Sequence, residues 1–243
     1  MESETERIRA RVREQYGRRA SATSLDCCGP GCCSPAGYSK EELERIPAEA
    51  LLGEGSGNPV RHADLRAGEV IVDLGSGAGV DVFLAASVVG PTGRAIGVDM
   101  TPEMLLRARR AADTAGARNV EFRHGVIEAL PLADSIADVV LSNCVINLSP
   151  DKAAVFREAF RVLRPGGRLV ISDIVQERPL MILDDDCGCV SNAMLRADYL
   201  ETIRASGFRD LRIVEDRPWR SGPAGVDASA LTLHAFKPRE VRS

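Results

Sequence analysis

The residues of this sequence best suited to chemistry are its cysteines. There are seven, and four of them share one Ser-, Gly- and Pro-rich stretch: Cys27, Cys28, Cys32, Cys33, Cys144, Cys187 and Cys189. Thiolates bind soft, thiophilic centres in preference to Mg²⁺ or Ca²⁺. The spacing of the first four also allows a structural zinc site, and a lone buried cysteine is often an inert core residue. None of the three histidines has HExxH spacing, which argues against zinc hydrolase chemistry.

A second candidate site is the segment VDLGSGAG at residues 72–79. Its three glycines stand where an apolar strand should turn into a helix, so the backbone can turn sharply and offer free N–H groups to a ligand. Asp99 ends the next strand, 20 residues after Gly79, which is the spacing at which a carboxylate accepts hydrogen bonds from a ribose. The GxGxG pattern, with Asp73 just before it, argues against an NAD site, which has GxGxxG.

Strands that alternate with helices must position these residues. The predicted strands are EVIVDL (69–74), RAIGVD (94–99), NVEFRHG (119–125), ADVVLSN (137–143), GRLVISDIV (167–175), DLRIVED (210–216) and ALTLHAFK (230–237). The predicted helices are residues 1–20, SKEELERI from a Ser39–Glu42 capping box, 80–89, 102–115 behind Thr101, 151–163 ended by Pro165-Gly166-Gly167, and 196–208. This alternation predicts an α/β fold with a doubly wound, mostly parallel seven-stranded sheet and helices on both faces.

Ligands of such sheets bind outside the carboxyl ends of the strands. Cys144 follows the strand 137–143, and Cys187 and Cys189 follow the strand 167–175, whose carboxyl end lies at the same edge. Thiols from both places could therefore face one pocket, and the N-terminal cysteine loop could close over it. We expect residues 1–60 to form an N-terminal helical and cysteine-loop segment that acts as a lid, and residues 61–243 to form the main domain.

Composition and charge favour a small-molecule partner. Hydrophobic residues make up 44% and charged residues 27% of the chain, as in ordinary globular proteins. The net charge of −4 gives no general attraction to nucleic acid or to an anionic membrane. No apolar run reaches the roughly 20 residues that span a bilayer, and the charged N-terminus is unlike a signal peptide. We therefore expect a cytoplasmic protein that binds neither nucleic acid nor membrane, with its cysteines reduced.

The DLGSGAG and GVDM segments resemble motifs I and II of the class I S-adenosylmethionine-dependent methyltransferases. The resemblance covers roughly residues 60 to 237. It implies a Rossmann-like fold and S-adenosylmethionine as the cofactor, with Asp99 on the ribose and Val126, Ile127 and Glu128 at the adenine. The full implied set of cofactor-binding residues is Asp73, Gly75, Ser76, Gly77, Asp99, Met100, Ile127, Glu128 and Asn143.

A more specific resemblance is to the arsenite methyltransferases. It rests on GxGNP at residues 55–59, GVDMTPEML, the Cys189 loop and above all SNCVINLSPDK. It implies methyl transfer to trivalent arsenic, as arsenite or methylarsenite, for arsenic detoxification. Cys144 and Cys189 are then the catalytic thiols and arsenic ligands, and Cys28 and Cys32 supply further thiol ligation. The family also implies an external thiol reductant, either thioredoxin or a low-molecular-weight thiol.

The sequence departs from this family at two positions near the thiols. Ser56 stands where the family usually has cysteine in GxGNP, and a hydroxyl cannot replace a thiolate as a soft ligand. Asn192 stands where the family has glycine after the last thiol. Two alternatives therefore stay open. The acceptor could be an organic small molecule, with incidental cysteines, or the chain could be a non-catalytic protein whose thiols only bind a metalloid or zinc.

Overall fold

The computed structural model describes residues 3–21, 37–52, 55–179, 190–219 and 227–239, and the fold is given for these ranges. The strands are β1 (Val70–Leu74), β2 (Arg94–Asp99), β3 (Val120–His124), β4 (Ala137–Asn143), β5 (Leu163–Gln176), β6 (Arg209–Pro218) and β7 (Ala228–Phe236). The helices are α1 (Glu4–Ser21), α2 (Lys40–Leu43), α3 (Pro59–His62), α4 (Val80–Val89), α5 (Pro102–Ala115), α6 (Lys152–Val162) and α7 (Arg196–Ala205). Two short 3-10 helices, Ala48–Ala50 and Ile146–Leu148, complete the described elements.

The described strands form a sheet in the order β3-β2-β1-β4-β5-β7-β6. Strands β1 to β5 are parallel, and β7 runs antiparallel to both β5 and β6. The chain order switches direction between β1 and β4, which is where open α/β sheets bind their ligands. The predicted doubly wound, mostly parallel seven-stranded sheet is confirmed.

Helices cover both faces of the sheet because its central strands are apolar on both sides. Val72 and Leu74 of β1 point to the face where they share a core with Phe156 of α6. Ile71 points to the opposite face and shares a core with Phe83 of α4. All three β1 residues are buried, as the continuous apolar run VIVDL predicts.

The start of β5 differs from the prediction. Helix α6 ends at Val162 and the strand begins at Leu163, so the PGG tripeptide expected to stop the helix belongs to the strand. The strand begins this early because its glycines form backbone hydrogen bonds with the residue that follows β7. The amide of Gly166 donates to the carbonyl of Lys237, and the amide of Lys237 donates to the carbonyl of Gly167.

Helix α1 is a polar surface helix with no buried residue. It lies against α5. None of the helices within the described ranges is both long enough and apolar enough to cross a membrane.

Candidate active site

The glycine-rich turn joins β1 to α4 through a backbone shape that needs glycine. Gly75, Gly77 and Gly79 have φ angles of 64°, 51° and 99°, in the left-handed region that other residues rarely adopt. A Cβ atom on Gly75 would lie 2.3 Å from a methyl carbon of Val145, so the turn also has no room there. The amide of Gly75 donates to the carbonyl of Val98, which ties the turn to β2. The N-terminus of α4 therefore stands at the carboxyl edge of the sheet.

The carboxylate of Asp99 braces this turn from the end of β2. Its Oδ2 accepts from the amide of Gly77 at 2.9 Å, and its Oδ1 accepts from the amide of Thr101 at 2.8 Å. Burial raises the pKa of Asp99, and these two hydrogen bonds oppose the shift. Met100 is partly buried at the same edge, and the buried hydroxyl of Ser76 has no hydrogen-bond partner in the part of the chain that the structure describes.

Asp73 is a buried carboxylate beside this turn, only 4% exposed. Among the residues that the structure describes, none donates a hydrogen bond to its side chain. Burial raises the pKa of Asp73 well above its usual range, and the nearby carboxylates Asp81 and Asp99 raise it further. A positively charged ligand would offset this unfavourable charge cluster, because opposite charges stabilise one another most strongly when desolvated.

Asn143, at the end of β4, joins three parts of the chain. Its Nδ2 donates to the hydroxyl of Tyr38 at 2.9 Å and to the carbonyl of Gly57 at 2.8 Å, and lies 3.2 Å from Oδ2 of Asp81. Its Oδ1 accepts from the amide of Ser56 at 3.0 Å. The Tyr38 hydroxyl donates to Asp81 at 2.8 Å. Asn143 thus fixes the segment before the sheet onto the carboxyl edge.

The segment after β3 forms the opposite end of this edge. Val126 is partly buried and Ile127 is buried. The side chain of Glu128 is 8% exposed, and its Oε1 accepts from the hydroxyl of Ser149 at 2.7 Å. Its Oε2 lies 3.6 Å from the guanidinium of Arg9 on α1. Helix α1 therefore reaches over this end of the site.

Cys144 follows β4 directly and is partly buried. Its φ angle is 59°, an uncommon value for cysteine, and such outliers occur often at functional sites. The Cys144 amide donates to the carbonyl of Ser172 on β5 at 2.9 Å. The same carbonyl accepts from the hydroxyl of Ser56, also at 2.9 Å. Ser56, which is 1% exposed, therefore lies next to the Cys144 backbone.

A small group of hydrocarbon side chains lies beside Cys144. We call it the apolar cluster; its buried members are Ile174, Val190, Ala193 and Ala228, and Cys144, Leu148 and Trp219 pack against them. The cluster is separate from the two larger cores on the faces of the sheet.

The other thiols of the predicted site, Cys28, Cys32 and Cys189, lie outside the described residues. Two described residues close to them along the chain indicate where these thiol-bearing segments join the sheet edge. Val190, the residue after Cys189, belongs to the apolar cluster that Cys144 contacts. Tyr38, six residues after Cys32, is bonded to Asn143. Within the described part of the chain, no group of three or more His, Cys, Asp or Glu side chains could hold a metal ion.

Several residues of this edge were not anticipated from the sequence. Tyr38 and Asp81 carry no motif, and only the fold reveals that both reach Asn143. Asp81 could have been suspected as an acid in the first turn of the helix after the glycines. Arg9 carries no motif either, and only the fold reveals that its guanidinium pairs with Glu128.

Asp173 of β5 is a further buried acid near Cys144. Its Oδ1 accepts from Nδ2 of Asn147 at 2.9 Å and from the amide of Ile174 at 3.0 Å. Its Oδ2 accepts from the hydroxyl of Tyr199 at 3.1 Å. Burial nevertheless dominates and raises the pKa of Asp173 to about 7.

This shift predicts a pH-dependent stability. Between the ordinary pKa of 3.8 and the folded pKa of about 7, folded Asp173 keeps a proton that the unfolded chain has lost. Raising the pH through this window therefore lowers the free energy of unfolding. From about pH 5 to pH 8, we expect the unfolding temperature of the wild type to fall about 3 to 8 °C more than that of Asp173→Asn.

Asparagine at this position keeps the Oδ1 acceptor, so the variant should fold. Differential scanning fluorimetry across the pH series measures both proteins, and Asp113→Asn, an exposed carboxylate on α5, is the matched control. Parallel curves for the wild type and Asp173→Asn would contradict the prediction.

The sheet and the turn together define a class of protein. A reversed strand, β7, sits between β5 and β6, and a GxGxG turn after β1 is braced by an acid at the end of β2. This arrangement is that of the class I S-adenosylmethionine-dependent methyltransferases, to which the fold belongs.

Comparisons with known proteins narrow the class. The methyltransferase domain family matches residues 65–212, more than half of the chain. The arsenite methyltransferase of Halobacterium salinarum is 44% identical over 231 residues, covering 86% of this chain and 59% of that protein. The arsenite methyltransferase of Aquipseudomonas alcaligenes is 46% identical over 160 residues, covering 61% of this chain and 46% of that protein.

A solved structure agrees with these relatives. The crystal structure of an arsenic(III) S-adenosylmethionine methyltransferase from Chlamydomonas reinhardtii has a TM-score of 0.67 and 34% identity, covering 83% of this chain and 71% of that chain. The chain belongs to the arsenite methyltransferase family. It spans about half the length of the curated relatives it matches.

Proposed function

We propose that this chain transfers the methyl group of S-adenosylmethionine to trivalent arsenic, as arsenite or methylarsenite, held by cysteine thiolates. The observation that carries the proposal is that Cys144, at the carboxyl edge of the sheet, packs against the cluster that contains Val190, the residue after Cys189. Family membership supports the same chemistry. A role in arsenic detoxification follows from the reaction.

The residues at the edge fit the cofactor. When bound, the cofactor supplies a methyl group on a positively charged sulfur. Asp99 would accept hydrogen bonds from the ribose hydroxyls, and such donors would lower its raised pKa. Asp73 is a buried carboxyl group with a raised pKa, and a positively charged ligand beside it would stabilise its ionised form. Ile127 and Met100 offer apolar surface for the adenine, and Glu128 offers an acceptor.

The arsenic site is supported by the positions of the described neighbours. Cys144 contacts the apolar cluster, and so does Val190, which is covalently joined to Cys189. Tyr38 is bonded to Asn143, the residue before Cys144. Six residues separate Cys32 from Tyr38 and span at most about 20 Å when extended, so thiols of the N-terminal loop can reach Cys144. These positions favour Cys144, Cys189, Cys28 and Cys32 as the thiols from which trivalent arsenic, which forms three bonds, takes its ligands.

The thiolates would select and orient the substrate. Soft sulfur ligands favour a thiophilic centre over hard cations. Trivalent arsenic bound by thiolates keeps its lone pair, so the nucleophile has no proton to lose and the protein needs no general base. The task of the protein is then alignment, which can lower a barrier by up to roughly 7 to 11 kcal/mol. Because methylation raises arsenic formally to the pentavalent state, we propose an external reductant, thioredoxin or a small thiol.

Ser56 is excluded as an arsenic ligand by its chemistry and by its contacts. Its hydroxyl is buried and donates to the carbonyl of Ser172. A hydroxyl is a poor ligand for a thiophilic centre. The thiol set of this chain therefore comes from the N-terminal loop, Cys144 and the Cys189 loop.

We propose that the N-terminal segment, residues 1–60, acts as a lid over this site. Arg9 pairs with Glu128, and the carbonyl of Ala20 accepts from Arg107 of α5 at 3.2 Å. These two anchors lie 11 residues apart, or about 16 Å along a helix. Helix α1 thus spans from the adenine end of the edge to α5, which begins beside Asp99.

If the N-terminal segment covers the cofactor, removing the Arg9–Glu128 ion pair should speed cofactor exchange. We expect Arg9→Gln to increase the dissociation rate of S-adenosylmethionine about threefold to fivefold, because a partly exposed ion pair contributes up to about 1 kcal/mol. Stopped-flow displacement measures this rate. Arg11→Gln, an exposed arginine on the same helix, is the matched control and should match the wild type. Equal dissociation rates in all three proteins would show that the Arg9–Glu128 ion pair does not retain the cofactor.

The proposed function is tested by incubating the purified chain with arsenite, S-adenosylmethionine and a thiol reductant, then separating the arsenic species by mass. We expect methylated arsenic, formed in step with S-adenosylhomocysteine. Arsenic binding without methylation would favour a sequestering protein. If the chain neither binds nor methylates arsenic, an organic acceptor is favoured. Either of these two results would overturn the proposal.

A further inference from the structure

The apolar cluster places the single tryptophan of the sequence beside the proposed arsenic site. Trp219 directly follows β6, and its amide donates to the carbonyl of Ala228 at 2.8 Å. Trp219 and Cys144 both pack against the apolar cluster, whose buried members include Ile174 and Val190. The indole ring and the thiol therefore border one small region at the carboxyl edge.

This region offers hydrocarbon rather than hydrogen bonds. Its buried members are isoleucine, valine and two alanines. The indole Nε1 of Trp219 is buried and has no hydrogen-bond partner among the residues that the structure describes. A hydroxyl placed against this surface would lose water without gaining a partner, whereas a methyl or aryl group gains by being buried.

Trivalent arsenic forms three bonds, so arsenic held by two thiolates keeps one other substituent. In arsenite this substituent is oxygen, and in a trivalent organoarsenical it is carbon. We propose that Trp219 and the apolar cluster form a subsite for the organic substituent, so that Trp219 is a specificity-determining residue that favours trivalent organoarsenicals over arsenite. This inference rests on the proposed function, because it assumes that Cys144 holds the arsenic.

Kinetics of substituted proteins test the preference. We expect Trp219→Ala to lower kcat/KM for methylarsenite about tenfold and to change that for arsenite less than about twofold, because only the former loses apolar contact. Trp219→Phe keeps an aromatic ring and loses an N–H that has no partner within the described ranges, so it should stay close to the wild type. Ile213→Ala, an exposed apolar residue on β6, is the matched control.

Fluorescence tests the placement without turnover. Because the chain has a single tryptophan, its emission reports on Trp219 alone. Titration with phenylarsine oxide, a trivalent arsenical with an aryl substituent, should change the emission of the wild type. The change should vanish in Cys144→Ser, and arsenite should produce a smaller one.

The two measurements separate this inference from the proposed function. Methylation of both arsenicals with an equal loss in Trp219→Ala, or with no loss, would overturn the inference and leave the proposed function standing. If the wild type methylates neither arsenical, the proposed function fails. A Cys144-dependent emission change with phenylarsine oxide would then still support the subsite, and no change would overturn it.

Discussion

Replacing Cys144 with serine is expected to abolish arsenic methylation while leaving S-adenosylmethionine binding intact. Serine keeps the size of the side chain and the amide that donates to Ser172, but it replaces a soft ligand with a hard one. Without this ligand the arsenic is no longer aligned, so we expect the rate to fall by at least about a thousandfold. Initial rates from arsenic speciation and calorimetric titration with the cofactor measure the two effects separately.

Cys189→Ser is expected to behave in the same way, and Cys187→Ser is its matched control. Cys187 lies two residues away in the same loop and is not in the proposed ligand set. Full activity in Cys144→Ser or Cys189→Ser would remove that residue from the arsenic site. Loss of activity in Cys187→Ser alone would reassign the ligand within the loop.

The second large effect is expected at Asp99. Asn at this position keeps one acceptor oxygen for the turn but removes the charge that would accept from a ribose. Hydrogen bonds to charged groups are worth about 1.5 to 3 kcal/mol, so the Kd for S-adenosylmethionine should rise about tenfold to a hundredfold in Asp99→Asn. Equilibrium titration of the purified variant measures this change.

Thermal unfolding of Asp99→Asn distinguishes the loss of a ligand contact from disruption of the glycine-rich turn. A variant that binds the cofactor weakly but unfolds near the wild-type temperature has lost a ligand contact, not the turn. Asp113→Asn on α5 is the matched control and should bind as the wild type does. Unchanged affinity in Asp99→Asn would contradict the ribose role.

The local elements of this fold could be predicted because each has a local cause. The strand RAIGVD and the helix VDVFLAASVV have the bounds that their patterns predict. The Ser39–Glu42 capping box is present, with both of its hydrogen bonds. Helix α5 begins at Pro102 after Thr101, although the Thr101 hydroxyl forms no capping bond.

The start of β5 could not be predicted, because it depends on a distant partner. Proline and two glycines usually end a helix, yet here Gly166 and Gly167 exchange backbone hydrogen bonds with Lys237, the residue after β7, and the strand begins before them. That pairing joins residues about 70 positions apart. No local pattern in the sequence reports it.

The contacts that build the site are also long-range. Tyr38 and Asn143 are 105 residues apart, and Ser56 and Ser172 are 116 apart. The sequence identified Asp73, Asp99 and Cys144 through motifs, but Tyr38, Arg9 and Trp219 belong to no motif. Their roles follow only from the folded edge of the sheet.

The most direct test of the proposed arsenic site is to count the sulfur atoms around one bound arsenic. Arsenic X-ray absorption of the reduced protein with one equivalent of arsenite counts these neighbours. We predict at least two sulfur ligands in the wild type and one fewer in both Cys144→Ser and Cys189→Ser. An arsenic with only oxygen neighbours, or a sulfur count that neither substitution changes, would contradict a site built from these distant thiols.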